Sequence, residues 1–205
     1  RHRGCFSGIK CTKTQMNGAK PFLFFIFETE KNNVLKIFYQ NYQNMRIFLI
    51  GFMGSGKTTI GKALSEKLNM TFVDLDRYSA QKKQTTIPKI FQTEGERAFR
   101  NEEKQALSEI LQKNNMIIST GGGLPCFNKN METINQHGLS VYLKTTPENL
   151  FERLKSDFAH RPLLKNKTKN EQLQFIKNTL NQRKLYYEKA KLVVSTDNLT
   201  EEEVT

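Results

Sequence analysis

RIFLIGFMGSGKTTIG, residues 46–61, decides the architecture. A short apolar run ends at Gly51, a glycine-rich turn follows, and helix-forming residues begin at Lys57. Within it, GFMGSGKT at 51–58 satisfies G-x-x-x-x-G-K-[ST] in full, in the strand–loop–helix setting that gives this pattern its meaning. Gly51, Gly54 and Gly56 let the backbone turn tightly and bring its N–H groups onto phosphate oxygens. The start of the helix adds partial positive charge. Lys57 reaches the β- and γ-phosphates, and the Thr58 hydroxyl offers a ligand to Mg²⁺. The expected ATP-binding set on this turn is Gly54, Ser55, Gly56, Lys57, Thr58 and Thr59. No N-K-x-D element for reading guanine is present, which counts against a GTPase, and the chain is too short for an ATPase with a mechanical domain.

Working outward, short apolar runs recur at 46–50, 71–73, 116–119, 139–143 and 192–194. Helix-like segments separate them at 57–69, 76–83, about 86–113 with a break near Gly95, 128–137, 147–155 and 170–190. Five apolar strands divided by helices predict an α/β fold of three layers, a five-stranded parallel sheet flanked by helices. Ile60, Leu64 and Leu68, spaced i, i+4, i+8, predict the buried face of the helix that opens at Lys57. The polar stretch 156–170, which carries Pro162, reads as a mobile loop.

The 205 residues fit one domain. The net charge is +12, of which +5 falls in residues 1–44, and the remainder is scattered among acids. A basic protein that handles anionic ligands needs no nucleic acid to explain that balance. Three cysteines, Cys5, Cys11 and Cys126, at no metal-ligand spacing, argue for a reducing compartment, and a cytoplasmic monomer is the expectation. The apolar run at 22–27 is too short to span a bilayer. Composition changes at Met45, so the domain is expected over 45–205 with Met45 as its natural start. For residues 1–44 three readings stand: a non-native extension, a transit-type segment, or an added element. Thr200 to Glu203 spells a capping box with no helix after it, which predicts a truncated C-terminal helix.

FVDLDRY, residues 72–78, places two acids one position apart. In a strand, side chains two apart project on the same side, so both carboxylates, Asp74 and Asp76, are expected to point one way. The plainer reading is a strand end whose Asp caps the next helix.

Taken in order, GFMGSGKTTIGKALSEKL at 51–68, FVDLD at 72–76, GERAFRNEE at 95–103, ISTGGG at 118–123, RPLL at 161–164 and RKLYYEKA at 183–190 resemble shikimate kinase, in the nucleoside-monophosphate-kinase-like branch of P-loop kinases. The likeness runs from about Met45 to Asp197. It implies a P-loop kinase fold with a mobile lid, and ATP-dependent phosphorylation of the 3-hydroxyl of shikimate. It also implies Mg²⁺ held by Thr58 and Asp74, and Lys57, Asp76 and Arg161 as the catalytic set. Asp76 falls on the acid that meets the acceptor hydroxyl, and Arg161 on the lid arginine that contacts ATP. Arg100 and Arg183 fall on the arginines that bind the carboxylate of shikimate, and Gly121, Gly122 and Gly123 line its pocket. Glu103, three residues after Arg100, is placed to pair with it. Phe91 and Phe99 wall the pocket or the core. Leu185 stands where the family often has Pro, which weakens the carry-over to Arg183. A related small-metabolite kinase, such as a gluconate-type kinase, is the rival reading.

Overall fold

The computed structural model describes residues 45–160, 164 and 167–197. Residues 1–44, Arg161 and the Thr200–Glu203 cap signal lie outside the described residues. The chain runs β1 (Arg46–Ile50), α1 (Lys57–Leu68), β2 (Thr71–Asp74), α2 (Leu75–Lys82), α3 (Ile87–Ile110), β3 (Met116–Ser119), a 3-10 turn (Leu124–Cys126), α4 (Asn130–His137), β4 (Leu139–Lys144), α5 (Pro147–Leu154), a second 3-10 segment (Lys155–His160), α6 (Lys169–Tyr187) and β5 (Leu192–Ser195). The five strands form one sheet in the order β2-β3-β1-β4-β5, and all four pairings are parallel.

β1 and β3 sit inside the sheet and are apolar at successive positions because both of their faces are covered. Phe48 and Ile50 point into one cluster with Leu107, Ile110, Ile118 and Tyr187, beneath α3, α4 and the end of α6. Ile47 and Leu49 point the other way, onto Ile60 and Leu64 of α1. Leu68 packs beside them, so the expected face of α1 is the buried one. A third cluster joins Phe52, Leu150, Leu154, Leu164 and Ile176 beside the cradle loop. The stretch from 156 read as a mobile loop begins within a 3-10 segment, and Leu164 in it is buried.

α3 is two helices joined at Gly95, whose φ of 80° and ψ of 173° break the helical path. A β-carbon there would touch nothing within 4 Å, so the left-handed φ, and not space, calls for glycine.

Chain order leaves β1 for β2 and β3 on one side and for β4 and β5 on the other, which makes the C-terminal end of β1 the switch point of the sheet. Arg46, at the opposite end, ties three chain segments together. Its Nε donates to Lys113 O at 2.7 Å, Nη2 to Leu111 O at 2.7 Å and to Asn114 Oδ1 at 2.6 Å, and Nη1 to His137 O at 3.3 Å. Those carbonyls close α3 and α4, where a cation is favoured.

Candidate active site

At the switch point β1 passes into the loop 51–56. Gly56, the residue before α1, holds φ 90°, and no side chain caps the helix, which leaves its N-terminal N–H groups for an anion. Ser55 Oγ is buried with no hydrogen-bond partner in the protein, a polar atom the loop itself leaves unsatisfied. Lys57 is buried and folds back over the loop, donating from Nζ to Gly51 O at 2.9 Å and Phe52 O at 2.8 Å. Gly54 lies against Leu154 of α5, while Thr59 faces outward from the first turn.

Thr58 Oγ1 donates to Asp74 Oδ2 at 3.0 Å. The other oxygen of Asp74 accepts the Arg77 N–H at 3.2 Å and caps α2. Capping and facing the cradle are thus done by one carboxylate with its two oxygens divided between them. This corrects the strand-face argument for the two acids. β2 ends at Asp74 and Leu75 opens a helix, so Asp76 reaches the site from the first turn of α2 and not from a strand. It still lies close enough to Asp74 to feel its charge. Burial first, and then Asp74, push the Asp76 carboxyl above the ordinary carboxylate range, while Lys57 and Arg100 pull it back.

The run 121–123 is where the distant residues meet. A β-carbon on Gly121 would stand 2.5 Å from Asp76 Oδ1 and 3.0 Å from Glu103 Oε1. One on Gly122 would stand 3.2 Å from Arg183 Nη1, 3.5 Å from Gly51 O and 3.6 Å from Met53 N. One on Gly123 would stand 2.7 Å from Arg100 Nη1. None of the three has a left-handed φ, so close approach, sharpest at Gly121 and Gly123, and not backbone freedom, is what calls for glycine. Asp76 from α2, Arg100 and Glu103 from α3 and Arg183 from α6 therefore crowd one short piece of backbone that also touches the phosphate loop.

Arg100 is locked on several sides. Nη1 donates to Glu103 Oε2 at 2.7 Å, and Nη2 and Nε donate to Glu96 Oε1 at 2.9 and 3.3 Å. Glu103 is buried, and that burial pushes its carboxyl up to about 7 against the pull of Arg100. Phe99 is buried and packs at a tilt against the exposed Phe91 with centroids 4.4 Å apart, and both rings face the guanidinium. Arg183 faces the ring of Phe52. Tyr187 is fully buried, and its Oη donates to Gly122 O at 2.5 Å.

Sequence reasoning missed Phe127, whose ring centroid is 4.0 Å from Arg100 Cζ, and the Tyr187 bond to the glycine run. The PCF segment after the three glycines is the only local signal for the first; nothing local signals the second. Arg161 lies outside the described residues.

Among the described residues no three His, Cys, Asp or Glu side chains converge as a metal cage. A hydroxyl and one carboxylate beside a phosphate loop suit a cation that keeps most of its waters and takes phosphate oxygens, which is the habit of Mg²⁺. The donor set fits.

A sequence family described as Shikimate kinase matches residues 53–205. A shikimate kinase from Azobacteroides pseudotrichonymphae is 49% identical over 156 residues, covering 76% of this chain and 92% of that protein. The crystal structure of shikimate kinase from Bacteroides thetaiotaomicron superposes with a TM-score of 0.75 at 41% identity, covering 78% of this chain and 94% of that one. Shikimate kinase from Acinetobacter baumannii, solved in complex with shikimate, superposes with a TM-score of 0.72 at 33% identity, covering 81% of this chain and 92% of that one. On the geometry and on these matches, the chain belongs to the shikimate kinase family.

Proposed function

We propose that the protein transfers the γ-phosphoryl group of ATP to the 3-hydroxyl of shikimate, yielding shikimate 3-phosphate and ADP. The observation that carries this is the meeting of Asp76, Arg100 and Arg183 on Gly121–Gly123, against the loop of the phosphate cradle. A small acid with several hydroxyls needs what that arrangement offers: guanidinium groups for its carboxylate, backbone in close contact, and a carboxylate base for the reacting alcohol.

In this reading Gly54 to Thr59 and the start of α1 hold the phosphates of ATP, and Lys57 swings from its two carbonyl partners onto the β- and γ-oxygens. Thr58 and Asp74 would hold Mg²⁺, which neutralises charge on the phosphate oxygens when bound. Arg100 and Arg183 take the carboxylate, and Gly121–Gly123 form the wall. Asp76 accepts the proton of the 3-hydroxyl as its oxygen bonds to phosphorus and the β–γ bridge bond breaks. Its raised proton affinity makes it a better acceptor than an ordinary aspartate. Arg161 is assigned the lid role from the resemblance alone. Residues 45–205 carry the activity, and removal of 1–44 is expected to leave turnover unchanged.

The test is a coupled ADP-release assay against a panel of hydroxy acids and sugars that includes gluconate, followed by Arg100→Ala. Stimulation by shikimate alone, and a loss of at least roughly tenfold in kcat/KM for shikimate with ATP binding unchanged, support the reading. Stimulation by gluconate would favour the rival kinase. An equal loss of ATP affinity would show that Arg100 does not serve the acceptor.

A further inference from the structure

Arg100 is gripped on its edges by carboxylates and on its faces by rings. Of the three rings, Phe99 belongs to its own helix and Phe91 to the helix before the Gly95 break, with centroids 5.1 and 5.7 Å away. The nearest, Phe127 at 4.0 Å, comes from the loop after the 3-10 turn. Phe127 belongs to none of the buried clusters and is 37% exposed, so core formation does not account for its place. Its loop is instead fastened to Arg100 itself: Asn128 Nδ2 donates to Arg100 O at 3.1 Å. Asn128 and Lys129 hold successive left-handed φ values of 53° and 57°, a conformation Asn adopts readily and Lys at some cost. An apolar ring at the surface and a tie to the arginine's own main chain both serve the same contact.

We propose that Phe127 is a positioning residue for recognition of the acceptor's carboxylate. Its ring stacks on the guanidinium of Arg100, fixes the plane of the donor fork and keeps water off one face. The need arises because the outer edge of the fork, Nε and Nη2, rests on Glu96, whose side chain is 60% exposed and which an incoming carboxylate displaces. When that partner leaves, Glu103 holds a single nitrogen, and Phe127 keeps the fork in plane for the newcomer. The inference rests on the reading of Arg100 as a carboxylate-binding group.

The experiment compares Phe127→Ala, Phe127→Leu and Phe127→Tyr with the parent chain, each alone and combined with Arg100→Ala, reading kcat, KM for shikimate, KM for ATP and Tm. Loss of the stacked face in the Ala and Leu variants is expected to raise KM for shikimate about three- to thirtyfold, with kcat and KM for ATP close to the parent values. The Tyr variant retains the parent KM. In the Arg100→Ala background the Phe127 substitutions add nothing further, because the partner is gone. A Leu variant with parental KM overturns the stacking role, as does a Phe127 effect that persists without Arg100. If Arg100→Ala itself leaves KM for shikimate unchanged, the assignment of the arginine fails first; if it raises KM while Phe127→Ala does not, only the positioning role fails. Should the Ala variant not fold, the Leu and Tyr pair makes the same distinction.

Discussion

Gly121 and Asp76 stand so close that a β-carbon on the first would lie 2.5 Å from a carboxylate oxygen of the second. Side chain and main chain are in contact there with no room to spare. Gly121→Ala is expected to push the Asp76 carboxylate out of line and lower kcat/KM for shikimate by about a hundredfold. ADP affinity, measured by calorimetry, should be unaffected because the phosphate loop is untouched. Parental turnover in the alanine variant would show that Asp76 needs no fixed position.

Glu103 lends the fold a pH dependence of known sign. Its ordinary pKa of 4.5 rises to about 7 in the folded chain, chiefly through burial. A raised folded pKa means that the native state keeps a proton the unfolded chain has released. The resulting stability is complete below pH 4.5 and is lost as pH climbs through about 7. Urea unfolding of the parent and of Glu103→Gln from pH 4 to 8 should show the difference between the two curves changing across that window. Parallel curves would refute it.

Tyr187→Phe removes a hydroxyl that donates to the carbonyl of Gly122 in a fully buried setting. Leaving that carbonyl without its donor is expected to cost about 1–2 kcal/mol in unfolding free energy and to raise KM for shikimate several-fold. Chemical denaturation and initial-rate kinetics read the two effects. A stability loss without any change in KM would confine the tyrosine to packing.

Arg46→Ala acts on stability alone. The residue lies at the end of the sheet away from the cradle and binds carbonyls that close α3 and α4. Its removal is expected to cost about 1–3 kcal/mol and to lower Tm by roughly 3–8 °C, while kcat stays at the parental value. Differential scanning calorimetry with a parallel rate assay checks it; a drop in kcat at temperatures well below Tm would count against it.

Much of the architecture could be read from local pattern because the strands are short apolar runs and the phosphate loop anchors their direction. The break at Gly95 was legible for the same reason: a glycine interrupts an otherwise helical stretch. The relation between Asp74 and Asp76 was read from strand periodicity, and that failed at a boundary of one residue, since Leu75 already begins a helix. The acids still meet the cradle, but by way of a helical turn whose capping and whose charge share one residue. Arg100 and Glu103 were legible as a pair because i and i+3 on a helix are neighbours whatever the tertiary fold. Phe127 was not, because its contact with Arg100 spans the rest of α3, a strand and a turn that no local periodicity encodes. The same holds for Tyr187, whose partner lies 65 residues away and is a backbone atom with no identity in the sequence.

The three glycines packed against Asp76, Arg100 and Arg183 have a consequence for drug resistance. A compound that rests on that wall rests on peptide units, which every coding change leaves in place. Added bulk is resisted at Gly121 and Gly123, where a β-carbon would stand 2.5 Å from Asp76 Oδ1 and 2.7 Å from Arg100 Nη1 and would have to displace those groups. Inhibitors built against this face would therefore confront an organism with a choice between sensitivity and loss of its own catalyst.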